Sequence, residues 1–163
     1  MRSMLVSLSS AAVFLLLATP CIAGALISIA GGDDSQPALP AYLARPSGSG
    51  PFPAVVVLHG CGGFGSVPVA WADRLARWGY VALVPDSLTS RGRSSGCRGG
   101  APEQPSDAYR ALDFLTAQPF VTRDRVGLLG ISLGAGAALV AFEKGGLEKN
   151  HRRKFRYSTP MRP

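Results

Sequence analysis

The chain has 163 residues, room for one domain, and its 47% hydrophobic content belongs to a protein that can build a core, which excludes a disordered chain. The net charge of +7 excludes less than it suggests. Lys144, Lys149, Arg152, Arg153, Lys154, Arg156 and Arg162, set against Glu143 and Glu148, place most of it in the last stretch. A basic, aromatic-poor run of this kind reads as a solvated, disordered tail over 143–163, and no nucleic-acid partner is expected from it without a recognised module.

Met1-Arg2 supplies a positive start, Met4 to Ala18 is mostly apolar, and Pro20-Cys21-Ile22-Ala23-Gly24-Ala25 offers small residues for cleavage. This predicts a secretory signal peptide over 1–23, cut after Ala23 or Ala25. The apolar run falls short of the roughly 20 residues of a membrane span, so no stable span is expected after cleavage. A lipid anchor on Cys21 is disfavoured because Pro20 stands where a lipoprotein signal wants a small residue. The expected location is the periplasm or the medium. Export leaves Cys61 and Cys97 in an oxidising compartment, where a disulfide is favoured over two free thiols. Cys61 as a reactive nucleophile is the weaker reading, since no pentad surrounds it.

The partial domain is expected over 24–142. Ala25 to Ala30 and Leu39 to Arg45 alternate across Gly31-Gly32-Asp33-Asp34-Ser35, which predicts a hairpin, and Pro40 and Pro46 keep that pair at a sheet edge. Ala54-Val55-Val56-Val57-Leu58 is continuous and rich in β-branched residues, as a parallel strand covered on both faces should be. A glycine loop follows, His59-Gly60-Cys61-Gly62-Gly63-Phe64-Gly65. Pro68 then suits the first turn of a helix reaching Trp78, with Val67, Trp71, Leu75 and Trp78 on one apolar face and Gly79 as its stop. Tyr80 to Val84 is the next buried strand. Ser87 to Gly100 reads as an active-site rim or flap in which Arg91, Arg93 or Arg98 could meet a substrate carboxylate, although loop arginines are more often solvated. A second helix is expected over Ser106 to Gln118, with Ala108, Ala111, Leu112 and Leu115 at helical spacing.

From Arg125 to Leu139, a short apolar run, the pentad Gly130-Ile131-Ser132-Leu133-Gly134 and a run of helix formers succeed one another without a break. Strand, sharp turn and helix in that order make a nucleophile elbow, with Ser132 as the nucleophile and Gly130 and Gly134 giving the tight turn its room. Leu133 N–H lies at a helix N-terminus, where it can donate to an oxyanion. The competing reading makes Ser132 a plain helix cap.

Gly60-Cys61-Gly62-Gly63-Phe64-Gly65 also satisfies G-x-G-x-x-G, with Asp86 near the position of a ribose-binding acid, as in a dinucleotide-binding oxidoreductase. A dinucleotide site starts its helix inside the glycine motif, whereas Pro68 places this helix after Gly65. The loop is better read as the source of the second oxyanion donor, the N–H of Cys61 or Gly62. His59 is expected to order that loop by hydrogen bonding rather than to act as the base.

Leu39 to Pro46, Leu58 to Gly63, Val84-Pro85-Asp86-Ser87 with Arg91-Gly92, and the pentad at Ser132 together resemble the dienelactone hydrolase family of the α/β-hydrolase fold, over about Leu39 to Ala141. The resemblance implies a mostly parallel α/β sheet with flanking helices. It implies hydrolysis of a small ester or lactone by a nucleophile, acid and histidine triad, with no metal and no cofactor. Ser132 stands where some members carry cysteine. In this fold the acid and histidine follow the nucleophile on later strands, but after Ser132 the chain has no aspartate, and its one histidine, His151, lies in the basic segment. The expectation is a domain lacking its C-terminal strands. A damaged gene product, a site completed by another subunit and a catalytically dead binding protein are the explanations, in that order. The elbow strand would be left as a hydrophobic edge.

Overall fold

Residues 23–31 and 36–147 are described in the computed structural model. The signal-peptide residues before Ala23, the hairpin loop 32–35 and the basic residues after Leu147 lie outside them. Ala54 to Leu58 form most of strand β3 (Phe52–Leu58), and Val56, Val57 and Leu58 are fully buried. Successive side chains of a strand point to opposite faces, so this run demands cover on both. The cover consists of helix α1 (Ser66–Arg77) on one side and helices α2 (Gln104–Thr116) and α3 (Leu133–Leu147) on the other. Val57 packs with Ala72, Leu75, Ala76 and Val84 under α1, while Val56 and Leu58 pack with Ala108, Ala111 and Leu115 under α2.

The sheet order is β1 (Ala23–Ile29), β2 (Leu39–Arg45), β4 (Val81–Pro85), β3 and β5 (Val121–Gly130). β3 pairs parallel with β4 and β5, and β2 pairs antiparallel with β1 and β4. The expected hairpin is present, in register from Ala23 opposite Arg45 to Ile29 opposite Leu39. Only β1 is the outer strand of that pair. Pro40 is tolerated in the inner one because the β2–β4 ladder starts at Ala41, and the Pro40 carbonyl still accepts the Asp86 N–H at 2.8 Å.

Three sequence expectations need correction. Val67, Trp71 and Trp78 do not face the sheet, being 58%, 37% and 60% exposed, and α1 buries Pro68, Ala72, Leu75 and Ala76 instead. Two apolar stripes share this helix, and the one with small residues lets its axis lie close to the strands. Trp71 instead lies beneath the Arg74 guanidinium, 5.4 Å from the ring centroid. The second helix starts two residues earlier than Ser106, with Pro105 in its first turn, and ends at Thr116. The last helix runs on to Leu147, past the expected boundary at 143, since Glu143 and Lys144 are good helix formers.

β5 is longer than its apolar run. Phe52 pairs with Val121 and Ala54 with Val126, so Thr122 to Arg125 bulge out of the ladder as exposed or half-exposed residues. Its far side has no strand neighbour among the described residues. Beside it lies an apolar groove of about 450 Å³ lined by Leu112, Val126, Leu128, Leu139 and Phe142.

Tyr42 on β2 donates its hydroxyl to Asp73 of α1 at 2.7 Å, and its ring occupies the space that a side chain at Gly24 would need. Burial first, then the hydrogen bond and charge of Asp73, push its pKa from 10.0 to about 12. Between these values the native chain holds a proton that the unfolded chain has released. This contribution to stability is therefore complete below pH 10 and lost as pH rises toward 12. Tyr42→Phe is expected to flatten the alkaline fall in stability measured by urea unfolding at pH 9 to 11.

Candidate active site

The turn between β5 and α3 is where local chemistry and fold meet. Ser132 has φ 51°, the left-handed region, and is the one non-glycine residue with positive φ among the described residues. The turn is held by Ile131 N–H on the Leu58 carbonyl at 3.0 Å and Ala135 N–H on the Ser132 carbonyl at 2.8 Å. Both flanking glycines are required by close approach. A Cβ at Gly134 would lie 2.3 Å from the Leu58 carbonyl oxygen and 2.7 Å from that of His59, and one at Gly130 would lie 2.4 Å from the backbone of Ala135. Ser132 itself is exposed, and no hydrogen bond from a described residue reaches its Oγ.

The two segments expected to supply oxyanion donors adjoin it. Leu133 is the first residue of α3, and its N–H is among those a helix leaves without an internal acceptor. Gly60 lies directly against the elbow: a Cβ there would be 3.3 Å from the Ile131 carbonyl and 3.5 Å from Ser132 Cβ. Cys61 and Gly62 follow in a turn closed by Gly63 N–H on the Gly60 carbonyl at 3.1 Å.

His59 is fully buried at the end of β3 with both ring nitrogens engaged. Nδ1 donates to the Gly60 carbonyl at 2.8 Å, and Nε2 accepts the Ser87 N–H at 3.2 Å, partners that assign the proton to Nδ1. Its carbonyl accepts Gln104 Nε2 at 2.9 Å. An imidazole fixed in this way holds the glycine loop and is not placed to serve Ser132.

The rim segment after β4 is ordered by its own polar groups. Asp86 accepts from Leu88 N–H, Thr89 N–H and Thr89 Oγ1, capping the turn at Thr89–Arg91. α1 begins at Ser66, beyond the last glycine of the G-x-G-x-x-G match. With the helix displaced and Asp86 committed to its own turn, the dinucleotide reading has neither of the features it needs.

The Arg91 guanidinium, expected either to meet a substrate carboxylate or to be solvated, is already engaged within the fold. It forms a two-pronged pair with Asp107, both bonds 2.9 Å, and a third bond to the Ser87 carbonyl. Asp107 is fully buried, and neutralising it is what the fold asks of Arg91. Arg93 pairs with Glu103, and Arg98 is exposed. Cys61 and Cys97 are joined by a disulfide, which fastens the glycine loop to the rim.

Gln104 and Asp107, which brace the site from α2, escape the sequence reading. Their signal was a pair of polar residues on the same helical stripe as Ala108, Ala111 and Leu115, where a polar residue must find a buried partner.

Gly134→Ala is expected to cost about 3 kcal/mol, because the carbonyls it would strike are already bonded to Ile131 N–H and Gln104 and cannot withdraw. Thermal unfolding followed by circular dichroism measures it, as a fall of roughly 10 °C.

Among the described residues, no group of three or more His, Cys, Asp or Glu side chains is placed to hold a metal ion, and no helix is long and apolar enough to cross a membrane. Residues 39–150 match the family model described as the dienelactone hydrolase family. Over 60 residues the chain is 40% identical to a protein of Azospirillum brasilense named "Putative carboxymethylenebutenolidase", covering 37% of this chain and 25% of that protein. Among solved structures, one titled m3DLH is 27% identical with a TM-score of 0.64, covering 76% of this chain and 55% of that one. A dienelactone hydrolase-like promiscuous phosphotriesterase, P91 from metagenomic libraries, is 26% identical with a TM-score of 0.63 and the same coverage. The chain thus spans about half the length of these structures.

Proposed function

Since the chain belongs to the dienelactone hydrolase family of α/β hydrolases, we propose that its site is built to cleave a small ester or lactone with Ser132 as nucleophile. The observation that carries this reading is the left-handed Ser132 at the tip of a strand–turn–helix, exposed and backed by Gly60. Ser132 Oγ attacks the carbonyl carbon, and the oxygen that becomes negative is met by the N–H of Leu133 and that of Cys61 or Gly62. The Oγ proton passes to a base contributed from outside the described residues, and the alkoxide leaves with a proton from the same group. No metal or cofactor enters this scheme.

Export is the second part of the proposal. It rests on the 1–23 segment and on the Cys61–Cys97 bridge, a bond that persists in oxidising compartments. The similar metagenomic protein P91 is a promiscuous phosphotriesterase, and the phosphoryl oxygen of such a substrate would use the same oxyanion donors.

A second reading, an exported scaffold without catalysis, is favoured by the commitment of both His59 ring nitrogens to the Gly60 carbonyl and the Ser87 N–H. One experiment separates them. The purified chain is treated with a serine-directed fluorophosphonate and assayed with p-nitrophenyl acetate. Labelling mapped by mass spectrometry to Ser132, together with ester turnover, supports the hydrolase; a stable, monodisperse chain that neither labels nor turns over supports the scaffold.

A further inference from the structure

We propose that the Cys61–Cys97 disulfide, with Ser95 and Gly96, forms a clamp whose task is to hold the oxyanion donors of the glycine loop in position. The inference rests on the reading of Ser132 as the nucleophile and adds positioning residues to that site.

The need for such a clamp follows from composition. Gly60-Cys61-Gly62-Gly63 has three glycines in four residues, the sequence with the most backbone freedom to lose, yet an oxyanion donor is useful only when fixed to a fraction of an ångström. Hydrogen bonds inside the loop are few: Gly63 N–H to the Gly60 carbonyl and His59 Nδ1 to the same oxygen. Neither touches the peptide between Cys61 and Gly62.

That peptide is gripped from the rim. The Cys61 carbonyl accepts Gly96 N–H at 2.7 Å and Ser95 Oγ at 3.2 Å, and Ser95 Oγ in turn accepts Cys97 N–H at 3.1 Å. The disulfide joins the side chains of the same two segments. Because a peptide unit is planar and trans, fixing the Cys61 carbonyl also fixes the Gly62 N–H on the opposite edge of the plane. Gly96 also lies close to the first residue of α3: a Cβ there would be 3.3 Å from Leu133 Cδ2. Residues 95–97 therefore bear at once on the loop that carries Cys61 and Gly62 and on the first residue of α3. The bridge lies at the surface, with Cys97 exposed and Cys61 partly so, where a soluble dithiol can reach it.

The test compares four forms of the full chain: oxidised, reduced by dithiothreitol, Cys97→Ser and Ser95→Ala. In the reduction two electrons and two protons pass from the dithiol to the bridge, giving two cysteine thiols and the cyclic disulfide of the reagent. Fluorophosphonate labelling of Ser132 is resolved into a maximal rate and an apparent binding constant, with circular dichroism checking that each form is folded. An oxyanion donor acts mainly as charge develops. The maximal rate should fall about 10- to 100-fold in the reduced and Cys97→Ser forms, less than the loss expected for deleting a donor outright, with binding within about twofold. Air reoxidation should restore the reduced form. Ser95→Ala, which keeps the bridge, should lose a few-fold.

A bridge that merely stabilised the fold would lower Tm and leave the maximal rate of the folded forms unchanged, and equal rates in all four forms overturn the proposal. Should the oxidised chain not label at all, the reading of Ser132 fails. The clamp is then judged by hydrogen exchange at Gly62 and Gly63: faster exchange on reduction upholds the clamp, and unchanged exchange sinks it.

Discussion

Ser132→Ala and Ser132→Gly are expected to abolish fluorophosphonate labelling and ester turnover alike, yet to differ in stability. Alanine keeps a Cβ in the left-handed region and leaves the strain in place, whereas glycine adopts φ 51° without it. A residue in this region carries about 1–2 kcal/mol, so the glycine variant should unfold several degrees higher than the alanine variant and the parent. Differential scanning calorimetry of the three chains checks it. A glycine variant no more stable than the alanine one would mean that the elbow is not strained. The reading of the turn as a device that holds a side chain against local preference would then be lost.

Asp107→Ala is expected to cost about 3–5 kcal/mol, the usual penalty for leaving a buried ionic partner alone, and to lower Tm by roughly 10–20 °C. The carboxylate is fully buried, with both oxygens on Arg91 and one also 3.4 Å from Arg110. Arg91 would lose two of its three bonds, and the Ser87 carbonyl would remain its only anchor. The paired replacement Arg91→Met with Asp107→Leu removes both charges and should recover most of the loss, because Arg110 retains the carbonyls of Ala30 and Pro37. Urea unfolding of the single and double variants gives the coupling directly. If the single variant costs under 1 kcal/mol, the pair is ornamental and Arg91 becomes available to a ligand after all.

Among the described residues β5 has no strand partner on its outer side, and Leu139 and Phe142 of α3 are 69% and 54% exposed beside it. Across the sheet Val67, Trp71 and Trp78 are exposed on α1. Exposed apolar side chains gathered in this way are a recognised association hazard, so concentrated solutions of this chain should associate.

Much of this protein could be read from its sequence, for local reasons. A run such as Ala54 to Leu58 can only be a strand covered on both faces, and a Gly-x-Ser-x-Gly between a strand and a helix can only turn in a few ways. The family, the sheet and the position of Ser132 follow from such short-range constraints. What only the tertiary structure decided was where side chains find partners far along the chain. Helical spacing put Val67, Trp71, Leu75 and Trp78 on one face of α1, but packing against the strands selected Ala72 and Ala76 and left the tryptophans outside. Arg91 stood in a loop with no sign of its partner 16 residues on, and only the fold brings the buried Asp107 to it. The bonds from Gly96 and Ser95 to Cys61 are of the same kind, joining segments more than 30 residues apart. Periodicity reports which elements form, whereas the pairing of buried charges and the fixing of a glycine loop depend on distances that exist only once those elements have packed.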